Sequence, residues 1–294
     1  VGVDGAIDGL AAFLGARDDA ERAVARAMRS QVHRGEPGAG AVVLLHGLTA
    51  SPPAWRAIAT ALGARGRTVV VPRLLYHGYA DRMTRALCHL TPDALIDDVR
   101  EIVARVAALG EAVTVVGHSL GATLAIDAAL NAPDVARIVP IAPFMGIASI
   151  PLELHPLLVG TMQRLSDVFL WWDPALRARL MPEHGYPRYP LRALATGIAI
   201  ADAARASARR PPHAGAIDLV INERESSVNN RTALRLAQSW RAANASVSIH
   251  RLTGLGWSHD IIEPERPVAG VALPALLEII AGPHVAGDRT HALG

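Results

Sequence analysis

The sequence predicts an α/β fold, with a mostly parallel sheet covered by helices on both faces and a helical segment inserted late in the chain. Three observations carry this. Short apolar, β-branched runs alternate with helix-length segments from residue 41 onward, the pattern of a sheet buried on both sides. The rhythm breaks once, over residues 144–213, where Pro, Trp, Tyr and Met crowd short segments. Hydrophobic residues make up 51% of the 294 and charged residues 19%. That is ample for a large core and excludes a disordered chain.

The elements follow in order. Residues 6–33 place Ile7, Leu10, Leu14, Val24, Met28 and Val32 at helical spacing with Asp and Arg between them, which predicts an N-terminal helix packed against the domain. Gly, Glu and Pro at 35–40 mark a loop, and residues 41–45 read as a buried strand. A helix at 53–64 precedes a strand at 67–71, stopped by Pro72. Residues 92–109 form the strongest amphipathic helix, with Thr91 as cap and Pro92 in the first turn. Strands at 112–116 and 136–142 flank a helix at 120–131. Beyond the insertion, 217–222, 229–243, 247–251 and 267–281 read as strand, helix, strand and helix. The expected organisation is an N-terminal helical extension (1–40), a core (41–143 and 214–282), a helical cap (144–213) and a disordered tail (283–294).

Composition excludes several function classes. All 29 basic residues are Arg, set against 27 acidic ones, for a net charge of +2. They are dispersed, so no nucleic-acid footprint is present, and 4% aromatics is too few for a base-stacking platform. The single cysteine, Cys88, excludes an intrachain disulfide and a cysteine metal cluster. No apolar run reaches the roughly 20 residues that span a bilayer, and no signal-peptide pattern is visible, so no stable membrane insertion and a cytoplasmic location are expected. There is no nucleotide loop, zinc spacing or EF-hand, hence no expected cofactor or metal. No pattern sets an oligomeric state.

The sharpest feature is Gly117-His118-Ser119-Leu120-Gly121 between a predicted strand and a predicted helix. A Gly-x-Ser-x-Gly run in that context presents a serine hydroxyl on a tight turn at the strand's carboxyl end. The N-terminus of the following helix favours developing negative charge there.

Three segments together, Leu45-His46-Gly47-Leu48-Thr49, Gly117 to Ala122, and Ser258-His259-Asp260, give a resemblance. Over about residues 40–282 the chain resembles serine hydrolases of the α/β-hydrolase superfamily, and within it small bacterial carboxylesterases and monoacylglycerol-lipase-like enzymes. The resemblance implies an α/β-hydrolase fold and a chain order of nucleophile, acid, base. Ser119 is then the nucleophile and His259 the base that takes its proton. The acid belongs in the loop after the strand at 217–222. There Glu225 occupies the place of Asp in an Asp-x-x-Val pattern, and Glu223 stands as the alternative. Backbone amides of Leu120 and Leu48 are the implied oxyanion donors, with Gly47 admitting a close approach. His46, His77 and His118 are implied as local hydrogen-bonding residues; Leu75-Tyr76 replaces the usual Pro-Gly before the His77-Gly78 pair.

Substrate contacts are expected from Phe144, Met145 and Trp257. Leu157, Met162, Leu165, Phe169, Trp171 and Trp172 are further apolar cap residues. The implied activity is hydrolysis of short or medium acyl esters or monoacylglycerols, with a small-molecule ester as substrate. Ser119 argues against dehalogenase and epoxide-hydrolase chemistry, which use Asp at that position. Thioester, C–C and perhydrolytic reactions use the same triad and stay open, as does a catalytically silent ligand receptor.

Overall fold

The structure is a computed structural model that describes residues 3–165, 168–175, 182–207 and 210–293. In chain order its helices and strands are α1 (Val3–Ala20), β1 (Gln31–His33), β2 (Ala41–Leu45), α2 (Arg56–Gly63), β3 (Thr68–Val71), α3 (Pro92–Ala107), β4 (Val113–His118), α4 (Leu120–Asn131), β5 (Val135–Ile141), α5 (His155–Arg164), β6 (Phe169–Trp171), β7 (Arg188–Pro190), α6 (Leu191–Ser207), β8 (Ala216–Asn222), α7 (Asn230–Ala242), β9 (Val247–Thr253), α8 (Pro267–Ala281) and β10 (Gly287–Ala292).

Eight strands form one sheet in the order β1-β3-β2-β4-β5-β8-β9-β10. Only β1 runs antiparallel. The predicted mostly parallel sheet is therefore observed. Its central strands are buried along their length, β2 and β4 entirely, because helices cover both faces. One core face gathers α1, α3, α4 and α7 side chains such as Leu10, Ile102, Leu124 and Trp240. The other packs α2 and α8 through Trp55, Ile58, Leu276 and Ile280. Thr91 caps α3 by accepting from the Ala94 amide, as its position predicts.

Two sequence expectations are corrected. The helix expected over 6–33 ends at Ala20, and Gln31–His33 joins the sheet edge. The chain turns there because Asp18 accepts from the Ser30 amide at 2.7 Å and binds Arg73 at 2.8 Å. The expected tail is also not structureless. Gly287–Ala292 pairs in parallel with β9, using backbone groups that require no apolar pattern. Its His284 is held by Asp218 at 2.9 Å.

The inserted region supplies α5, β6, β7 and α6. A small apolar cluster of Met162, Leu194, Ala195 and Ile198 joins α5 to α6, with Phe144 and Tyr189 against it. The stretch just before β7 is tied to the loop after β2: Ser51 Oγ donates to the His184 carbonyl (2.7 Å), and the Tyr186 amide donates to that of Thr49 (2.8 Å). Among the described residues no helix is long and apolar enough to cross a membrane.

Candidate active site

Ser119 sits between β4 and α4 with φ 56° and ψ −116°, a region that costs a non-glycine residue energy. The strain is held by its surroundings. Its amide donates to Ile141, and its carbonyl accepts from the amides of Ala122, Thr123 and Phe144. The two flanking glycines are sterically required. A Cβ on Gly117 falls 2.1 Å from the Gly121 carbonyl oxygen, and one on Gly121 falls 2.1 Å from that of Leu45. Gly47 is different, since a Cβ there meets Ser119 Cβ at an ordinary 3.5 Å. The protein alone does not demand glycine at 47; the space it leaves lies beside the serine.

His259 follows β9 and reaches the serine. Its Nε2 lies 2.9 Å from Ser119 Oγ, and its Nδ1 lies 2.7 Å from Glu225 Oε2. An ionised carboxylate only accepts, so Nδ1 carries the proton and Nε2 is free to accept from the serine hydroxyl. The second oxygen of Glu225 accepts from the Ser227 amide at 2.6 Å. Burial lowers the imidazole pKa, but the hydrogen bond and charge of Glu225 outweigh it, so His259 ends above its ordinary value. Burial likewise opposes ionisation of Glu225, yet the His259 contacts and the Ser227 amide hold its carboxyl below the usual range.

The loop carrying His259 is fixed from below. Asn222 Nδ2 donates to the carbonyls of Gly256 (3.0 Å) and Ser258 (2.8 Å), and His118 Nε2 donates to that of His259 (2.9 Å). Glu223 does not approach this line; its carboxylate faces Arg251 at 3.9 Å. Asp260 faces Arg266 at 3.7 Å.

The Leu48 loop is held by two buried histidines. His46 Nδ1 donates to the Gly47 carbonyl (2.9 Å), and its Nε2 accepts from the Leu74 amide (3.1 Å). Burial keeps this ring neutral. His77 Nε2 lies 2.5 Å from the Leu48 carbonyl. Burial pushes its pKa down to about 4. Leu120 opens α4, so its N–H has no acceptor within the helix.

Two cavities meet at Ser119 and His259. One, of about 290 Å³, has a mixed wall, with Thr49, Asp173, Ser227, Asp260, Glu263 and Arg266 beside Leu48, Ala50 and Pro182. The other, of about 250 Å³, is lined by Leu48, Leu120, Phe144, Ile147, Tyr189, Leu194, Gly197 and Val228. Trp172 borders both, fixed by a 2.7 Å hydrogen bond from Nε1 to Thr49 Oγ1.

The structure thus brings Ser119, His259, Glu225, Leu48, Leu120 and Phe144 together and corrects two expected contacts. Met145 has no exposed surface and packs into the main core, because it points away from the cavity that its neighbour Phe144 lines. Trp257 is 65% exposed and lies under the Arg224 guanidinium at 4.9 Å, outside both cavities. Among the other cap candidates, Leu157 and Leu165 are exposed and Met162 is buried. Sequence reasoning missed Asn222, Gly197 and Glu263; none lies in a recognisable motif. Away from the serine, His184, Glu263 and Glu265 hold potential metal-ligand atoms within 4.8 Å of one another. These groups are already engaged, His184 with Glu263 and Glu265 with Arg56.

A strained serine at a strand-to-helix turn, fed by an imidazole and a carboxylate from later strands of a mostly parallel sheet, agrees with a family comparison. The model of the alpha/beta hydrolase family matches residues 42–273. The chain belongs to the alpha/beta hydrolase family. This family member is 34% identical over 116 residues to a thermostable monoacylglycerol lipase from Bacillus sp. (strain H-257), a match covering 39% of this chain and less than half (45%) of that protein. Two solved structures share its fold. One is the monoacylglycerol lipase of Paleococcus ferrophilus (TM-score 0.65, 19% identity, 86% of this chain and 97% of that one). The other is a soluble variant of the Saccharomyces cerevisiae monoglyceride lipase in complex with a substrate analog (TM-score 0.66, 12% identity, 88% and 92%).

Proposed function

We propose that this hydrolase cleaves carboxylic esters, short or medium acyl esters or monoacylglycerols, through a serine acyl-enzyme. The observation that carries the reading is the continuous line from Ser119 Oγ through His259 to Glu225, at 2.9 and 2.7 Å. The 34% identity to a monoacylglycerol lipase supports the substrate class.

In this mechanism His259 Nε2 takes the hydroxyl proton as Ser119 Oγ attacks the ester carbonyl. Glu225 stabilises the imidazolium without taking the proton. The amides of Leu48 and Leu120 receive the oxyanion, each worth about 2.7–4 kcal/mol in the transition state. The tetrahedral adduct collapses as His259 returns the proton to the departing alkoxide, which leaves as the alcohol. Water then attacks the acyl-serine, losing its proton to His259, and the acid is released with Ser119 restored. Residues 144–213 serve as the cap in this reading, since Phe144, Ile147, Trp172, Tyr189, Leu194 and Gly197 line the cavities beside the serine. The apolar cavity takes the acyl chain.

The test is hydrolysis of p-nitrophenyl esters from acetyl to palmitoyl by the parent and by Ser119→Ala. Parent turnover that the variant loses supports the serine mechanism. A folded parent that cleaves no chain length overturns the reading.

A further inference from the structure

The loop that joins β9 to α8 carries His259 and has little stiffness of its own. Residues 254–256 read Gly-Leu-Gly, with both glycines at positive φ (87° and 59°), and Trp257 is exposed. Glycine leaves the backbone many conformations, so the imidazole has to be placed from outside the loop. Asn222, the last residue of β8, reaches in from the neighbouring strand and is 1% exposed. Its Nδ2 donates to the carbonyls of Gly256 (3.0 Å) and Ser258 (2.8 Å), and its Oδ1 accepts from the Arg224 amide (3.3 Å). Its backbone carbonyl accepts from the Glu225 amide (3.1 Å) and from Asn230 Nδ2 (2.8 Å). The acid's loop thus starts from the residue that grips the base's loop.

Among side chains of this length, only a primary carboxamide supplies two N–H donors and an acceptor. The reversed amide would set Oδ1 against two carbonyl oxygens, which fixes its orientation. An aspartate would do the same, and an apolar residue would remove both donors. Asn222 lines neither cavity beside the serine, so it acts through other residues and not on the substrate.

We propose that Asn222 is a positioning residue: it sets the alignment of His259 with Glu225 by tying the base's loop to the start of the acid's loop. The roles of the two partners rest on the ester-hydrolase reading. His118 holds the His259 carbonyl from the nucleophile's side, and Asn222 holds the preceding carbonyls from the acid's side. The His259 Nδ1 to Glu225 contact of 2.7 Å lies between two loops that meet at this one amide.

The experiment compares the parent with Asn222→Leu, which keeps the branched shape, and Asn222→Asp, which keeps the acceptor and loses both donors. With p-nitrophenyl butyrate, both variants are expected to lose about tenfold to a hundredfold in kcat while KM changes little. In a Glu225→Gln background, the further loss from Asn222→Leu should shrink to about threefold or less, because residues that act through one another do not add. The proton that His259 Nδ1 shares with Glu225 resonates well downfield of the amides. It should be sharp in the parent at low temperature and broadened or moved toward the amides in both variants, with thermal melts confirming folding. A parent-like kcat in either variant, losses that add with that of Glu225→Gln, a parent-like resonance in the variants, or a parent without the resonance overturns the role of Asn222. A folded parent that cleaves no ester overturns the ester-hydrolase reading instead, and the spectrum, which needs no substrate, still decides on Asn222.

Discussion

His118, the residue before Ser119, donates a 2.9 Å hydrogen bond from Nε2 to the backbone carbonyl of His259. The imidazole that faces the serine is thus positioned by the serine's own sequence neighbour. Burial, then the nearby His259, pushes the His118 pKa down to about 4, so the ring stays a neutral donor through the working pH range. His118→Ala is expected to lower kcat about tenfold to a hundredfold, because a misplacement near 1 Å costs that much in a proximity-driven step. KM should change little, and His118→Gln, which keeps a donor, should recover part of kcat. Steady-state kinetics on one ester, with thermal melts to confirm folding, check this.

Glu225 raises the pKa of His259, and the base must be neutral to act. In the parent, kcat/KM should therefore rise with pH through a limb above the ordinary imidazole value of about 6.5. Glu225→Gln removes the raising charge, so the limb should move to lower pH. The amide also stops enforcing the Nδ1–H tautomer, and kcat should fall by roughly 10³–10⁴. A pH–rate profile of both proteins separates the two effects. An unmoved limb in the variant would contradict the assigned role.

The elbow was readable before the structure because several levels of sequence agreed. Gly117 and Gly121 stand where any Cβ collides with backbone, and a strand and a helix flank them as their composition predicts. His259 and Glu225 followed from chain order and spacing. Met145 and Trp257 were misread because they lie on loops, where no period tells which neighbour points inward. β10 was missed for a related reason: Gly-Asp-Arg-Thr-His-Ala has no alternation, and the strand is held by backbone pairing to β9 at a sheet edge. The cavity walls come from α6 and from turns whose apolar residues also pack on one another, so burial and substrate contact look alike in the sequence.

Arg73 has no exposed surface and meets Asp18 and Glu21, each at 2.8 Å. It ties α1 to the loop after β3, whose His77 contacts Leu48. Removing one partner of a buried ion group leaves the others uncompensated. Arg73→Met is expected to destabilise the fold by about 3–5 kcal/mol, read as a lower urea midpoint. At temperatures where the variant remains folded, its activity should fall further than the folded fraction, because the Leu48 loop loses its support.

Gly197 on α6 lines the apolar cavity. A Cβ there approaches Phe144 Cε1 to 3.2 Å and Leu120 Cδ1 to 3.7 Å, so any longer side chain must extend into the space assigned to the acyl group. Glycine in a helix interior costs about 1 kcal/mol relative to alanine, and an open cavity gives that cost a purpose. Gly197→Leu should therefore keep hydrolysis of acetyl esters while cutting kcat/KM for octanoyl esters about tenfold or more, since each excluded methylene is worth about 1–3 kcal/mol. The same p-nitrophenyl series reads the result as an optimum moved to shorter chains. A uniform loss at every length would mean that the substitution disturbs Phe144 and the Ser119 turn that its amide helps to hold, rather than filling an acyl site. An unchanged optimum would place the acyl chain elsewhere.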